Sequence, residues 1–467
     1  MRELLSSNTF IHEYFKLDLL LPTNGLGHTF LLVLGSIFPP IFAEKILQTI
    51  YIFFLPYAFR FLINQSSKKP NLLSYYLIFP FTYSFLFLYG FYNFHLALVI
   101  MLFTVGIWLI AINEGTIKTK KIIVLSLLAT LVCYAHIFVF AILGLILGVT
   151  WINAVLKNEG SKEYIFQTIS PLLAIVFPGI LLGAVFIFNQ TSIIGSSESS
   201  WSIIDTWKSL KSIEPARAIL YGKEGIFTQW IFWILSVAVL TQFVSWFKKE
   251  KGKTNVQWAL ISLILIGFVF YFPKDPTFIQ SRLILFFFLS TILWISTAPL
   301  PKLISIPSFI VISYVSIALL NIYATSSEKS SQLVAQIQDV SEVIKPKSVV
   351  LPINFNGQWR NAHISNYLGA SKPIVVLENY EAATGYFPIS WRDGVLSEEV
   401  IALVETKTIE EIEWNRIPER IDYLFILIPD NADIVGIKAL VKSQLKSFKV
   451  LATSEQQDFL LIERFYN

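Results

Sequence analysis

Apolar runs of membrane length recur up to residue 323, and the polar residues that separate them alternate in kind. A hydrocarbon core takes about 20 apolar residues per helix. On that length scale the pattern predicts spans over 41–63, 72–90, 92–113, 121–135, 137–156, 166–188, 228–247, 256–272, 282–298 and 303–322. The stretches 72–113 and 122–156 hold no Lys, Arg, Asp or Glu, and each is long enough for two helices folded back on each other. Their turns are expected near Gly90-Phe91-Tyr92-Asn93 and near His136. Residues 25–38, GLGHTFLLVLGSIF, are too short to cross and are closed by Pro39-Pro40, so they predict a helix lying at the membrane interface.

After residue 323 the pattern changes. Ser326-Ser327-Glu328-Lys329-Ser330-Ser331 reads as a polar hinge into a separate domain. Short apolar runs at 348–352, 373–377, 422–428, 448–452 and 459–462 predict strands, while 397–404 and 433–447 have helical spacing. The expected layout is an outer loop with an interfacial helix over 1–40, an all-α polytopic membrane domain of about ten transmembrane helices over 41–323, and a small extracytoplasmic α/β domain over 324–467.

Charge supplies the orientation. Lys and Arg concentrate in short cytoplasmic loops, and one alternate set of loops carries Arg60, Lys68, Lys69, Lys118, Lys120, Lys121, Lys157, Lys162, Lys302 and the cluster Lys248 to Lys253. The other set holds the uncharged Tyr92-Asn93 turn, the His136 turn, a 273–282 loop with Lys274 and Arg282, and a charge-balanced loop over 189–227. With the Lys-rich set cytoplasmic, both chain ends fall outside the cytoplasm. A mean hydropathy of +0.62, with 54% hydrophobic and 15% charged residues, excludes an ordinary soluble chain. The net charge of +4 is then a membrane property, and no basic cluster points to nucleic acid. Cys133 is the only cysteine, which excludes a disulfide within the chain and any Cys-based metal site.

Candidate chemistry gathers at the outer turns. Ionisable groups at membrane depth are costly to desolvate and are therefore functional candidates; here they are His95 and His136, with Tyr89, Tyr92 and Asn93 beside them. Either histidine reads equally as the cap of an interhelical hydrogen bond, and the tyrosines as belt aromatics. Arg282 opens a span on the same face, as a guanidinium able to grip phosphate in a bidentate manner or as a snorkelling anchor. His28 lies near the start of the interfacial helix, and Glu13 and Asp18 precede it as possible carboxylate bases or as solvated surface.

An outer loop, a Pro/Leu-rich interfacial helix from Leu21-Pro22 through Phe38, and Ala43-Glu44-Lys45 opening a span resemble the GT-C superfamily of membrane glycosyltransferases, which includes protein O-mannosyltransferases and lipid A aminoarabinose transferases. Gly90-Phe91-Tyr92-Asn93-Phe94 at a helix start, Tyr134-Ala135-His136, and a closing α/β domain with Asn379-Tyr380-Glu381-Ala382 are similar to a bacterial subset of GT-C-like proteins. The resemblance implies transfer of a sugar from a polyprenyl-phosphate carrier to a glycan, lipid or protein acceptor, on the outer side of a bacterial inner membrane. The leaving phosphate needs a cation, for which Arg282 or a divalent metal would serve, and the acceptor hydroxyl needs a general base. His28, Tyr92, Asn93, His136 and Arg282 are the expected substrate-binding residues, with Glu13 as the remaining catalytic candidate.

The chain departs from the family in one place. The family's acid follows a first transmembrane helix, and neither is found ahead of the interfacial helix, so the expectation is that both were encoded upstream of Met1. Two other classes remain open. One is a catalytically inert glycan-assembly or binding protein that would hold a glycan through Trp359, His363, Tyr380 and Trp391; the other is a transporter or flippase.

Overall fold

The computed structural model describes residues 2–6, 9–17, 23–189, 202–219, 222–247, 256–272, 278–384, 387–404, 411–412, 417–428, 434–444, 448–454 and 458–464. It divides into two compact units, one of Met1–Leu20, Phe30–Glu44 and Ser326–Asn467, the other of Leu21–Thr29 and Lys45–Thr325. Asp18, Lys274 and the Lys248 to Lys253 cluster lie outside the described residues.

The larger unit is a helical membrane domain. Among the described residues, seven helices are long and apolar enough to cross a membrane: Pro40–Ser66, Tyr92–Asn113, Ile137–Lys157, Lys162–Phe188, Glu224–Trp246, Ile279–Ser296 and Lys302–Ser341. Two shorter helices, Thr119–Ala135 and Val256–Tyr271, fall on the expected runs 121–135 and 256–272. Tyr92–Asn113 and Ile279–Ser296 form the centre, with 78% and 83% of their apolar windows buried, against 28% for Lys162–Phe188. The peripheral helices expose Phe53, Phe54, Leu173, Phe177, Trp233, Leu240, Ile310 and Ile317, side chains that only lipid can cover without cost.

Polar side chains tie the helices where tails give no hydrophobic drive for association. Trp108 Nε1 donates to Thr150 at 2.8 Å, Asn153 to Gln257 at 2.8 Å, and Ser262 pairs with Ser290 at 2.8 Å. Asn71 and Gln242 both donate to the Ile295 carbonyl at 2.9 Å, satisfying the end of the central helix Ile279–Ser296.

One expected span is broken. Residues 72–90 form three short pieces, Leu72–Tyr76, Phe79–Phe81 and Phe85–Leu88, instead of one helix. Pro80 brings no N–H, and Ser84 caps the third piece by accepting from Phe87 N, so hydropathy marked the depth of the segment but missed its breaks. The expected hinge at 326–331 is helical as well. Lys302–Ser341 runs through it, because Leu333 and Ile337 continue an apolar face that is buried with Ile344.

The smaller unit is an α/β fold with seven strands among the described residues, five of which fall on the predicted runs. They are β1 (Phe15–Leu17), β2 (Val349–Asn354), β3 (Val375–Val376), β4 (Ile389–Trp391), β5 (Tyr423–Leu427), β6 (Phe448–Thr453) and β7 (Phe459–Arg464). The main sheet has the order β3-β2-β5-β7-β6, parallel from β3 to β5 and antiparallel beyond. β5 is buried on both faces: Leu424 and Ile426 enter one core, and Tyr423, Phe425 and Leu427 the other. Residues near the chain start, expected in an outer loop, belong here too: β1 pairs with β4 and the Phe15 and Trp391 rings stack at 4.2 Å.

Candidate functional site

Gly90 adopts φ +86, a left-handed turn that lets the chain reverse into the helix Tyr92–Asn113. Its first turn carries Tyr92, Asn93, Phe94 and His95. A second helix, Ile137–Lys157, starts at His136, where an extended residue breaks it from Thr119–Ala135. A third, Ile279–Ser296, places Arg282 in its first turn. The rings and the guanidinium of these three starts meet on one side chain: His95 lies 5.1 Å and His136 5.5 Å from the Phe94 ring, and the Arg282 guanidinium 5.3 Å from it and 4.8 Å from Phe91.

The two histidines differ. Both ring nitrogens of His95 are engaged, Nδ1 with the Phe91 carbonyl at 2.8 Å and Nε2 with Ser84 Oγ at 3.3 Å, so His95 is a core residue joining two turns. His136 is buried, and its Nδ1 has no hydrogen-bond partner among the described residues. Such an atom is either a standing cost or the place where a ligand completes a bond. Arg282 is buried and covered by two aromatic faces, a setting that the snorkelling reading does not provide.

Asn93 is a clamp. Its Oδ1 accepts from Gly27 N at 2.6 Å and its Nδ2 donates to the Asn24 carbonyl at 2.8 Å. Tyr134 holds the same segment through its carbonyl, which accepts from Gly25 N at 3.2 Å, and its hydroxyl, 2.7 Å from Thr29 Oγ1. The approach demands glycine, since a Cβ at Gly25 would stand 2.6 Å from the Tyr134 ring. His28 follows the clamp, at the start of the expected interfacial helix, Leu26–Gly35, where burial pulls its imidazole down to about 4. Tyr92 is partly buried, and its hydroxyl accepts from Gln48 at 2.7 Å.

Glu13 belongs to the other unit. It is exposed on the short helix Thr9–Tyr14, whereas the residues around Phe94 belong to the membrane unit. Trp391 is no glycan platform either, because Phe15 already occupies its face. Sequence reasoning missed Glu214, which is buried in the loop it read only as charge-balanced. Glu214 accepts from Ser281 at 2.6 Å and Ser209 at 2.6 Å, and the Ser281 contact spans 67 residues of sequence, beyond the reach of any local pattern.

A guanidinium and imidazoles at three helix starts, where first-turn N–H groups point outward, make a setting for an anion. They do not suit a divalent cation, which Arg282 would repel. Among the described residues no group of three or more His, Cys, Asp or Glu is placed to hold a metal. Comparison with family models, curated proteins and solved structures finds no match for the chain.

Proposed function

We propose that this integral membrane protein is a glycosyltransferase of GT-C-like layout, about ten spans in all, that moves a sugar from a polyprenyl-phosphate carrier to an acceptor. The observation that carries the reading is the meeting of Arg282, His136 and three helix N-termini around Phe94. In the reaction an acceptor hydroxyl oxygen attacks the anomeric carbon and the bond from that carbon to the phosphate oxygen breaks. The hydroxyl proton goes to a base, and polyprenyl phosphate leaves as the anion that Arg282 stabilises. His136 Nδ1, in its protonated tautomer, donates to a second phosphate oxygen.

The distribution of Lys and Arg supports placing this end of the bundle, and the α/β unit with it, outside a bacterial inner membrane. Exposure of Glu13 favours a second reading, an inert protein that binds the carrier without turnover. Purified protein in liposomes with a radiolabelled polyprenyl-phosphate sugar separates the two: release of free polyprenyl phosphate with sugar on an acceptor supports transfer, binding without release supports the second reading, and neither result rejects both.

A further inference from the structure

A pocket of about 370 Å³ opens beside the start of Ile279–Ser296. Among the described residues its walls are the helix Ile203–Lys211, the turn Glu214–Ala216 and Gln280, and it presents Asp205, Lys208, Ser209, Glu214, Arg217 and Gln280. Its size lies in the roughly 300–1,000 Å³ range of small-molecule sites. We infer that this pocket binds a neutral, hydroxyl-rich group, the saccharide end of an acceptor. The inference rests on the transferase reading for the word acceptor, and on the pocket alone for the word saccharide.

The charges argue for a neutral ligand. Asp205 and Lys208 pair at 2.9 Å along one helix, and Glu214 and Arg217 add one charge of each sign, so the described lining carries no net charge to attract an ion. Phosphate would meet two carboxylates there, and a metal two cations. A sugar hydroxyl both donates and accepts, and a lining of carboxylates, amine, guanidinium and amide answers both roles.

Glu214 is the oriented element. Serine hydroxyls hold its two oxygens in place, Ser281 on Oε1 and Ser209 on Oε2. Held in this way, the carboxylate lines the pocket as an acceptor of fixed direction. Gln280 is fixed too, by its bonds to Thr206 Oγ1 at 2.9 Å and the Phe272 carbonyl at 3.1 Å. Ser281 and Arg282 are consecutive, with Cα atoms about 3.8 Å apart, so one helical turn carries both the pocket wall and the guanidinium at the proposed phosphate site.

The test is saturation-transfer NMR on the full-length protein in detergent, with methyl glycosides of glucose, galactose, mannose and N-acetylglucosamine, and inorganic phosphate as the anionic control. At least one glycoside should bind, phosphate should not displace it, and Glu214→Gln should weaken binding about tenfold or more. Lys208→Met, at the exposed rim, should weaken it as well, which guards against a folding defect at position 214. Arg282→Ala should leave glycoside binding intact while removing carrier binding, so that each proposal fails separately. Failure of all four glycosides to bind, equal binding by parent and both pocket variants, or displacement by phosphate overturns the assignment.

Discussion

Asn93 holds Gly27 across 66 residues of sequence, its side-chain oxygen accepting the glycine N–H at 2.6 Å. The same amide donates to the Asn24 carbonyl, so one side chain anchors the turn that leads into the helix Leu26–Gly35. Asn93→Ala leaves the buried Gly27 N–H without its acceptor and should lower stability by about 1–3 kcal/mol. Gly27→Ala places a Cβ 2.9 Å from Asn93 Oδ1 and should cost about 1–3 kcal/mol through overpacking. Because they share a contact, the double variant should lose less than the two single effects together. Unfolding in detergent gives the comparison, and strict additivity would deny the clamp.

His136→Phe separates a ligand role from a packing role. The ring keeps its edge-on contact with Phe94 while the unbonded Nδ1 disappears, so stability should stay level or rise by up to about 1 kcal/mol. Binding of polyprenyl phosphate should weaken about tenfold. A variant that loses stability but keeps lipid affinity would show that the imidazole serves the bundle alone.

Arg282→Lys keeps the charge but loses the planar fork and the stacking on Phe91 and Phe94. Transfer should drop about tenfold or more with membrane insertion unchanged. Parent-like turnover in Arg282→Ala would remove the phosphate role.

The α/β unit should weaken as pH rises. Burial pushes the Glu381 carboxyl from 4.5 up to about 7, with His363 pulling the other way. The folded form therefore holds a proton that the unfolded chain has released, so this contribution is full below about 4.5 and is lost as pH rises through about 7. Glu381→Gln should flatten the slope and gain on the order of 2 kcal/mol above neutrality. Hydrogen exchange of β5 amides, corrected for intrinsic rate, reports it; equal pH slopes in parent and variant would reject the linkage.

What could be read in advance follows the range of the forces involved. Hydropathy is local, so most apolar runs coincide with helices and the five short runs after 348 with strands of the main sheet. Loop parity put Asn93, His136 and Arg282 at one end of the bundle; His136 and Arg282 lie against the Phe94 ring, while Asn93 turns to Gly27 and Asn24. Parity says nothing of partners: it left His95 and His136 alike, although one is fully bonded and the other is not. Glu214 was illegible because its burial depends on Ser281, and the pairing of β1 with β4 because a three-residue strand has no period to detect.

That last pairing has a consequence in time. Phe15 leaves the ribosome long before Trp391, 376 residues of synthesis earlier, which at roughly 5–20 residues per second is on the order of half a minute. Through that interval Leu4, Ile11 and Phe15 have no core to enter, while every membrane helix between them and β4 is made. The segment from Leu4 to Phe15 is thus made long before the core that houses it, a waiting apolar surface that a chaperone would see before its own sheet does.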